Sequence, residues 1–117
     1  MPIARTSDGV AQVWAVKDGV SDKELHANRN WALLGKNLNR EEPEWRIDAA
    51  MVEVNGESCG LTFNGGPDSV MLDPGEIAAL PAGEYEGGRL KLYMVKGPVD
   101  ETVSETLDAP LGKIIVG

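Results

Sequence analysis

The sequence predicts an all-β fold: a single β-sandwich or small barrel domain, with a short helix or structured loop inserted after the first strand. Three observations carry this expectation. Short runs of β-branched, aromatic or alternating residues recur along the 117-residue chain. Each run ends in a turn signal built from Gly, Pro, Asn or Asp. No internal repeat or low-complexity segment interrupts them, and the length suits one domain of roughly 100–150 residues.

Residues 1–8 form a polar lead without periodicity, read as an N-terminal arm that frays or lies on a neighbouring subunit. The run VAQVWAV (residues 10–16) reads as a strand, stopped by the turn signal Lys17-Asp18-Gly19. Ser21, Asp22, Lys23 and Glu24 then match a capping box, in which Ser and Glu side chains satisfy free helix N–H groups. Ala27, Trp31, Leu34 and Leu38 recur at helical spacing, and Gly35 suits a left-handed helix terminus. A helix over residues 22–34 is therefore expected. The alternative is an Asn-rich loop pinned by Trp31, because Asn28, Asn30 and Asn37 disfavour helix interiors.

Residues 36–45 read as a loop around Pro43. In WRIDAAMVEV (residues 45–54), strict alternation places Trp45, Ile47, Ala49 and Met51 on one strand face, and Arg46, Asp48, Ala50 and Val52 on the other. Asn55-Gly56 follows, a type I′ hairpin signal that needs positive φ at both positions. The return strand is SCGLTF (residues 58–63), and a turn over residues 64–68 leads into SVML (residues 69–72).

Asp73-Pro74-Gly75 ends that strand. Residues 76–80 are too few for an independent helix and read as one helical turn bridging two sheets, with Ile77 and Leu80 plugging the open end of a core. Pro81-Ala82-Gly83 reverses the chain into a strand opened by Tyr85. A tyrosine at such a corner packs its ring inward while its hydroxyl bonds upstream backbone. Leu90, Leu92 and Met94 alternate with Lys91 and Tyr93, and Gly87-Gly88 marks a bulge or bend. The acidic residues 96–110 read as a loop or weak edge hairpin, and GKIIVG closes the chain as a short strand. Asn55, Gly56, Leu80, Pro81, Gly83 and Tyr85 are thus expected to define the fold.

Charge and composition narrow the function. With 19 acidic against 11 basic residues, the net charge of −8 opposes binding to a phosphate backbone or an anionic membrane. No apolar run is long enough to span a bilayer, and the amino end lacks the charged and apolar blocks of a signal peptide, so synthesis in a cytoplasm is expected. Cys59 is single and reads as a small buried hydrophobe. His26 is the only histidine, with no nucleophile elbow in the sequence. The carboxylates of Glu41, Glu42 and Glu44, and of Asp100, Glu101, Glu105 and Asp108, lack the spacing of a calcium loop and read as solvated charge. No catalytic, cofactor-binding or metal-binding residue is expected, and no cofactor. Trp14, Trp31 and Trp45 read as core anchors. The alternative is a carbohydrate- or small-ligand-binding module that presents a Trp face for stacking.

The stretch SVMLDPGEIAALPAGEYEGGRLKLYM, together with the closing APLGKIIVG, resembles small β-sandwich virion proteins of tailed phages, the decoration and accessory proteins. In these a strand leads to an LPAG-x-Y corner, a long strand, and a terminal strand introduced by Gly. The likeness covers residues 69–117. It implies a non-enzymatic structural role: capsid decoration or cement, or a tail or baseplate accessory, adhering in many copies through avidity. It further implies a homo-oligomer that docks on a major capsid or tail protein and resides in the virion after assembly in the host cytoplasm, with neither nucleic acid nor membrane as partner. Irregular segments order on partners, so Pro2, Ile3 and Arg5 of the arm, and Asn28, Asn30, Asn37 and Asn39, are the candidate contacts.

Overall fold

In the computed structural model, which describes residues 2–19, 21 and 23–117, the regular structure is almost all strand, which takes in 55% of the chain. These are β1 (Ala4–Arg5), β2 (Gln12–Lys17), β3 (Glu24–His26), β4 (Trp31–Lys36), β5 (Arg46–Val54), β6 (Glu57–Gly65), β7 (Ser69–Asp73), β8 (Gly83–Tyr85), β9 (Arg89–Lys96), β10 (Val103–Pro110) and β11 (Lys113–Val116). Eight of them form one sheet in the order β1-β2-β4-β7-β6-β5-β9-β10, which curls into a nearly closed barrel. The remaining three form a small sheet, β3-β11-β8, with β11 parallel to β3 and antiparallel to β8. Leu25, Ile114 and Val116 of the small sheet join Trp31, Trp45, Leu33, Leu72, Leu90, Leu92 and Met94 of the barrel in one core.

Several expectations meet their geometry. Asn55 and Gly56 turn the β5–β6 hairpin at φ 52° and 78°, the positive values a type I′ turn demands. A single 3-10 turn, Ile77–Ala79, puts Ile77 fully inside and packs half-buried Leu80 against the core. The Tyr85 hydroxyl donates to the Pro81 carbonyl, and its ring rests on the same core. Gly87 takes φ 74° where the chain breaks before β9.

Others are corrected. No helix forms over residues 23–34; Asp22, the expected first residue, lies outside the described residues, as does Met1 of the arm. The Ser21 hydroxyl accepts from Lys23 N–H, while buried Asp18 takes the N–H groups of Ser21 and His26, so the expected cap serves a loop. β3 and β4 follow instead, and Trp31 and Leu33, two apart, face inward. Gly35 ends no helix. It permits close approach of β2, since a Cβ there would lie 2.1 Å from the Gln12 carbonyl oxygen.

Alternation along β5 also slips. A bulge between Ile47 and Ala49 resets the phase, so Trp45 and Ile47 are buried together with Ala50, Val52 and Val54, while Ala49 and Met51 turn outward. Of the two readings of residues 96–110, the edge hairpin is the one that forms: β10, the last strand of the sheet, pairs with β9 along its whole length, from Val103 opposite Lys96 to Pro110 opposite Arg89. Leu107 and Ala109 face the core. Asp108 faces out between Arg89 and Lys91, and these cations, Lys91 foremost, hold its carboxyl below its ordinary value. Within the arm, Ala4 and Arg5 pair with Val13 and Gln12 as β1, so that part lies on its own sheet.

The barrel closes through side chains where β1 approaches β10. Glu105 of β10 accepts from both the backbone N–H and the hydroxyl of Ser7, each at 2.8 Å. Asp8 then accepts from the Thr6 hydroxyl (2.6 Å), Val10 N–H (3.0 Å), the Trp45 indole (3.0 Å) and Lys96 (3.1 Å). These donors, the Thr6 hydroxyl first, hold the Asp8 carboxyl far below its ordinary value against the opposing effect of burial.

Two tests follow from this closure and packing. Gly35→Ala, which drives a methyl into the β2 backbone, is expected to cost ~1–3 kcal/mol, read from the urea midpoint; an unchanged midpoint would show that β2 and β4 can separate. The folded pKa of Asp8 lies below its unfolded value of about 3.9, so its contribution is present above that pH and fades as pH falls. Stability should therefore drop below about pH 4, and Asp8→Asn should flatten the drop to the part left by Asp108. Equal acid slopes in both proteins would remove Asp8 from that role.

Candidate functional site

The feature that calls for explanation is Trp14. Strand β2 carries an extra residue between Val13 and Ala15, opposite Gly35 and Leu34 of β4. A bulge of this kind turns two successive residues to one side. Val13 and Val16 therefore both face the core, and Trp14 and Ala15 both face out. Trp14 is 45% exposed, which corrects its reading as a core anchor; Trp31 and Trp45 are buried, as expected of anchors.

Cross-strand register extends the surface around it. Directly opposed residues share a face and lie about 5 Å apart. Ile3 N–H bonds the Val13 carbonyl, which sets Ile3 beside Trp14 at the edge of β1. Leu34 lies opposite Ala15, and Ala32 lies opposite both Lys17 and Met71. The outer face of β1, β2, β4 and β7 thus has an apolar middle, in which Ile3 (41%) and Met71 (47%) are as open as Trp14. A groove of about 140 Å³ runs from Ile3 and Trp14 to Pro110, Leu111 and Gly112.

Its rim is cationic. Arg5, Gln12 and Lys36 form one row across β1, β2 and β4, and Lys17 lies at the other end of β2. None of the 19 acidic residues falls in β1, β2 or β4. Arg5, Lys17 and Lys36 make no ion pair among the described residues, whereas Arg89, Lys91, Lys96 and Lys113 are each held by a carboxylate.

The sequence-nominated contacts divide. Ile3 and Arg5 belong to this face, and half-buried Pro2 precedes them. Asn28 and Asn30 are exposed in the turn before β4, and Asn30 borders a shallow hollow shared with Met71 and Asp73. Asn37 and Asn39 are brackets within the chain. Asn37, at φ 55°, donates to the Val10 carbonyl and accepts from Arg40. Asn39 donates to the Gly65 carbonyl and accepts from Ile47 N–H. Each amide thus also ties the chain to itself, Asn37 to Val10 and Arg40, and Asn39 to Gly65 and Ile47.

Elsewhere Asp18, His26 and Cys59 are held within the fold. Asp18, its side chain 1% exposed, bonds His26 Nδ1 at 2.7 Å, and the His26 carbonyl accepts from the Trp31 indole. Among the described residues no hydroxyl or thiol bonds that imidazole. Cys59 is buried on β6, where desolvation, then Glu57 and Glu76, push its thiol up and away from the reactive thiolate. Among the described residues no three His, Cys, Asp or Glu side chains gather as a metal site. An open groove of about 760 Å³ beside Arg40, Glu41, Glu42 and Glu44 is lined by polar loop residues and Pro67. Compared with known proteins, the chain matches no protein-family model, no curated protein and no solved structure.

Proposed function

We propose that this protein is a non-enzymatic structural protein that acts in many copies on a larger particle, and that the particle is a phage virion on which it serves as a decoration or accessory component. The observation that carries the reading is the outward Trp14 at the centre of an apolar, cation-rimmed sheet face. Protein interfaces are enriched in Trp, Met and Arg, and this face presents Trp14, Met71 and Arg5. Large exposed apolar patches on a folded chain commonly mark such contacts. The setting in a virion draws on the resemblance of residues 69–117.

Particles from the source, banded by density and counted by quantitative mass spectrometry, test the reading. The expected result is a stoichiometric component. Trp14→Ser should lower its copy number at least tenfold while stability stays within ~0.5 kcal/mol, the usual range for surface changes. Absence from the particles would overturn the virion setting, and full occupancy by the variant would overturn the role of the face.

The exposure of Trp14 also supports a second reading, a platform for stacking on a sugar ring, with Gln12 and Arg5 nearby as hydrogen-bond donors. Trp31 and Trp45 are buried, so a collisional quencher of fluorescence should reach Trp14 alone. A saccharide that protects Trp14 from quenching with saturation would support this platform, and unprotected quenching across a panel would remove it.

A further inference from the structure

We propose that the Trp14 face receives the β9–β10 turn of a second copy of this chain, so that copies join head to tail. The inference rests on the assembly reading above and names the occupant of its face.

The face itself selects the partner. Two copies placed face to face would bring Arg5, Lys17 and Lys36 against the same cations, an arrangement that like-charge repulsion opposes. The complementary surface combines exposed apolar side chains with carboxylates. Such a surface exists on the same chain. The turn between β9 and β10 displays Val99, 79% exposed, and Val103, 60% exposed, the most open of the large apolar side chains among the described residues. Between them stand exposed Asp100 and Glu101, neither held in an ion pair among the described residues.

That turn is already shaped for docking. Gly97 N–H bonds the Pro43 carbonyl at 2.8 Å, Arg46 Nη2 bonds the Gly97 carbonyl at 3.1 Å, and Glu101 N–H bonds the Pro98 carbonyl at 2.9 Å. Gly97 sits at φ 107°, where a Cβ would lie 2.6 Å from the Glu101 carbonyl oxygen. A loop held this way loses little freedom on binding.

The turn cannot serve its own chain's face. The groove beside Ile3 and Trp14 meets β10 at Pro110, whereas Val99 and Val103 lie at the other end of that strand. Seven residue steps separate Val103 from Pro110, roughly 23 Å at the rise of an extended strand. The contact is therefore between copies, and being heterologous it extends into a ring or an open row. Each contact is small, and repetition on a particle multiplies it.

Sedimentation of the full chain from micromolar to millimolar concentration tests the proposal, using Trp14→Ser to remove the receiving face and Val99→Ser with Asp100→Ser to remove the inserting turn. Wild type is expected to grow past the dimer with concentration and to dissociate as salt is raised. Each variant alone should remain monomeric, and their mixture should give a one-to-one heterodimer that grows no further. Lys17→Ser with Lys36→Ser replaces the first variant should Trp14→Ser unfold. A wild type that stays monomeric, a mixture that stays monomeric, or a dimer indifferent to the turn variant would each overturn it. If wild type stays monomeric while Trp14→Ser still empties the particles, the head-to-tail contact fails and the assembly reading stands. If particle copy number is also unchanged, both fail.

Discussion

An eight-stranded sheet whose first and last strands do not pair must close some other way, and everything else in this fold depends on how it does. β1 is two residues long and cannot ladder onto β10. Carboxylates bridge the gap: Glu105 takes two donors of Ser7, and Asp8 gathers a hydroxyl, a backbone amide, an indole and an ammonium. A carboxylate suits this task because it accepts several hydrogen bonds at once, and bonds to a charged acceptor are stronger than neutral ones. The indole of Trp45 would otherwise bury its N–H without a partner, a cost of ~1–3 kcal/mol. Closure and core packing are thus one problem. Trp45 fills the interior because Asp8 satisfies its edge, and Lys96 lies 5.6 Å over its ring while bonding the same carboxylate.

Curvature comes from two bulges that do the same thing on different strands. In β2 and in β5 one extra residue resets the inside–outside phase. Strict alternation would have put Val16 outside if Val13 is inside; the bulge keeps both within and sends Trp14 and Ala15 out. On β5 it keeps Ile47 and Ala50 within and sends Asp48 and Ala49 out. Bulges bend a strand and increase its twist, which a sheet needs in order to curl. The exposure of Trp14 is therefore a by-product of barrel geometry as much as a surface feature, and the face around it is as fixed as the barrel.

Legibility in the sequence followed the range of the interactions involved. The Asn55-Gly56 hairpin, the turn at Ile77 and the Tyr85 corner rest on φ preferences and contacts within a few residues, so they could be read locally. The helix expected over residues 22–34 does not form over the described residues 23–34, because Trp31 lies on β4 while Ala27 and Leu38 are buried from the loops on either side of it, and their helical spacing is coincidence. The acidic residues of β10 leave a loop and an edge hairpin both open, although Leu107 and Ala109 do alternate with Asp108; the ladder with β9 and the ion pairs of Asp108 that decide for the hairpin are long-range facts. Of the candidate face, Ile3 and Arg5 were nominated from the arm, while Trp14 was assigned inside. The clue was the spacing of Val13 and Val16, three apart, which an unbroken strand cannot bury together. The ties that Asn37 and Asn39 make to Val10, Gly65 and Ile47 join residues distant in sequence and could not be read locally.

Charge segregation then decides what the face can do. A chain of net charge −8 repels its copies at long range, but salt screens that repulsion beyond a Debye length of about 8 Å. Inside that distance only local groups count, and on strands β1, β2 and β4 the local groups are cations around apolar side chains. Uniformly spread charge would oppose contact in every orientation. Placing Arg5, Lys17 and Lys36, which make no ion pair among the described residues, on one flank, with Asp100 and Glu101 beyond the far end of β10, favours contact in few orientations and opposes it in the rest. The selectivity with which the Trp14 face can be met therefore comes from where individual charges sit rather than from the net charge.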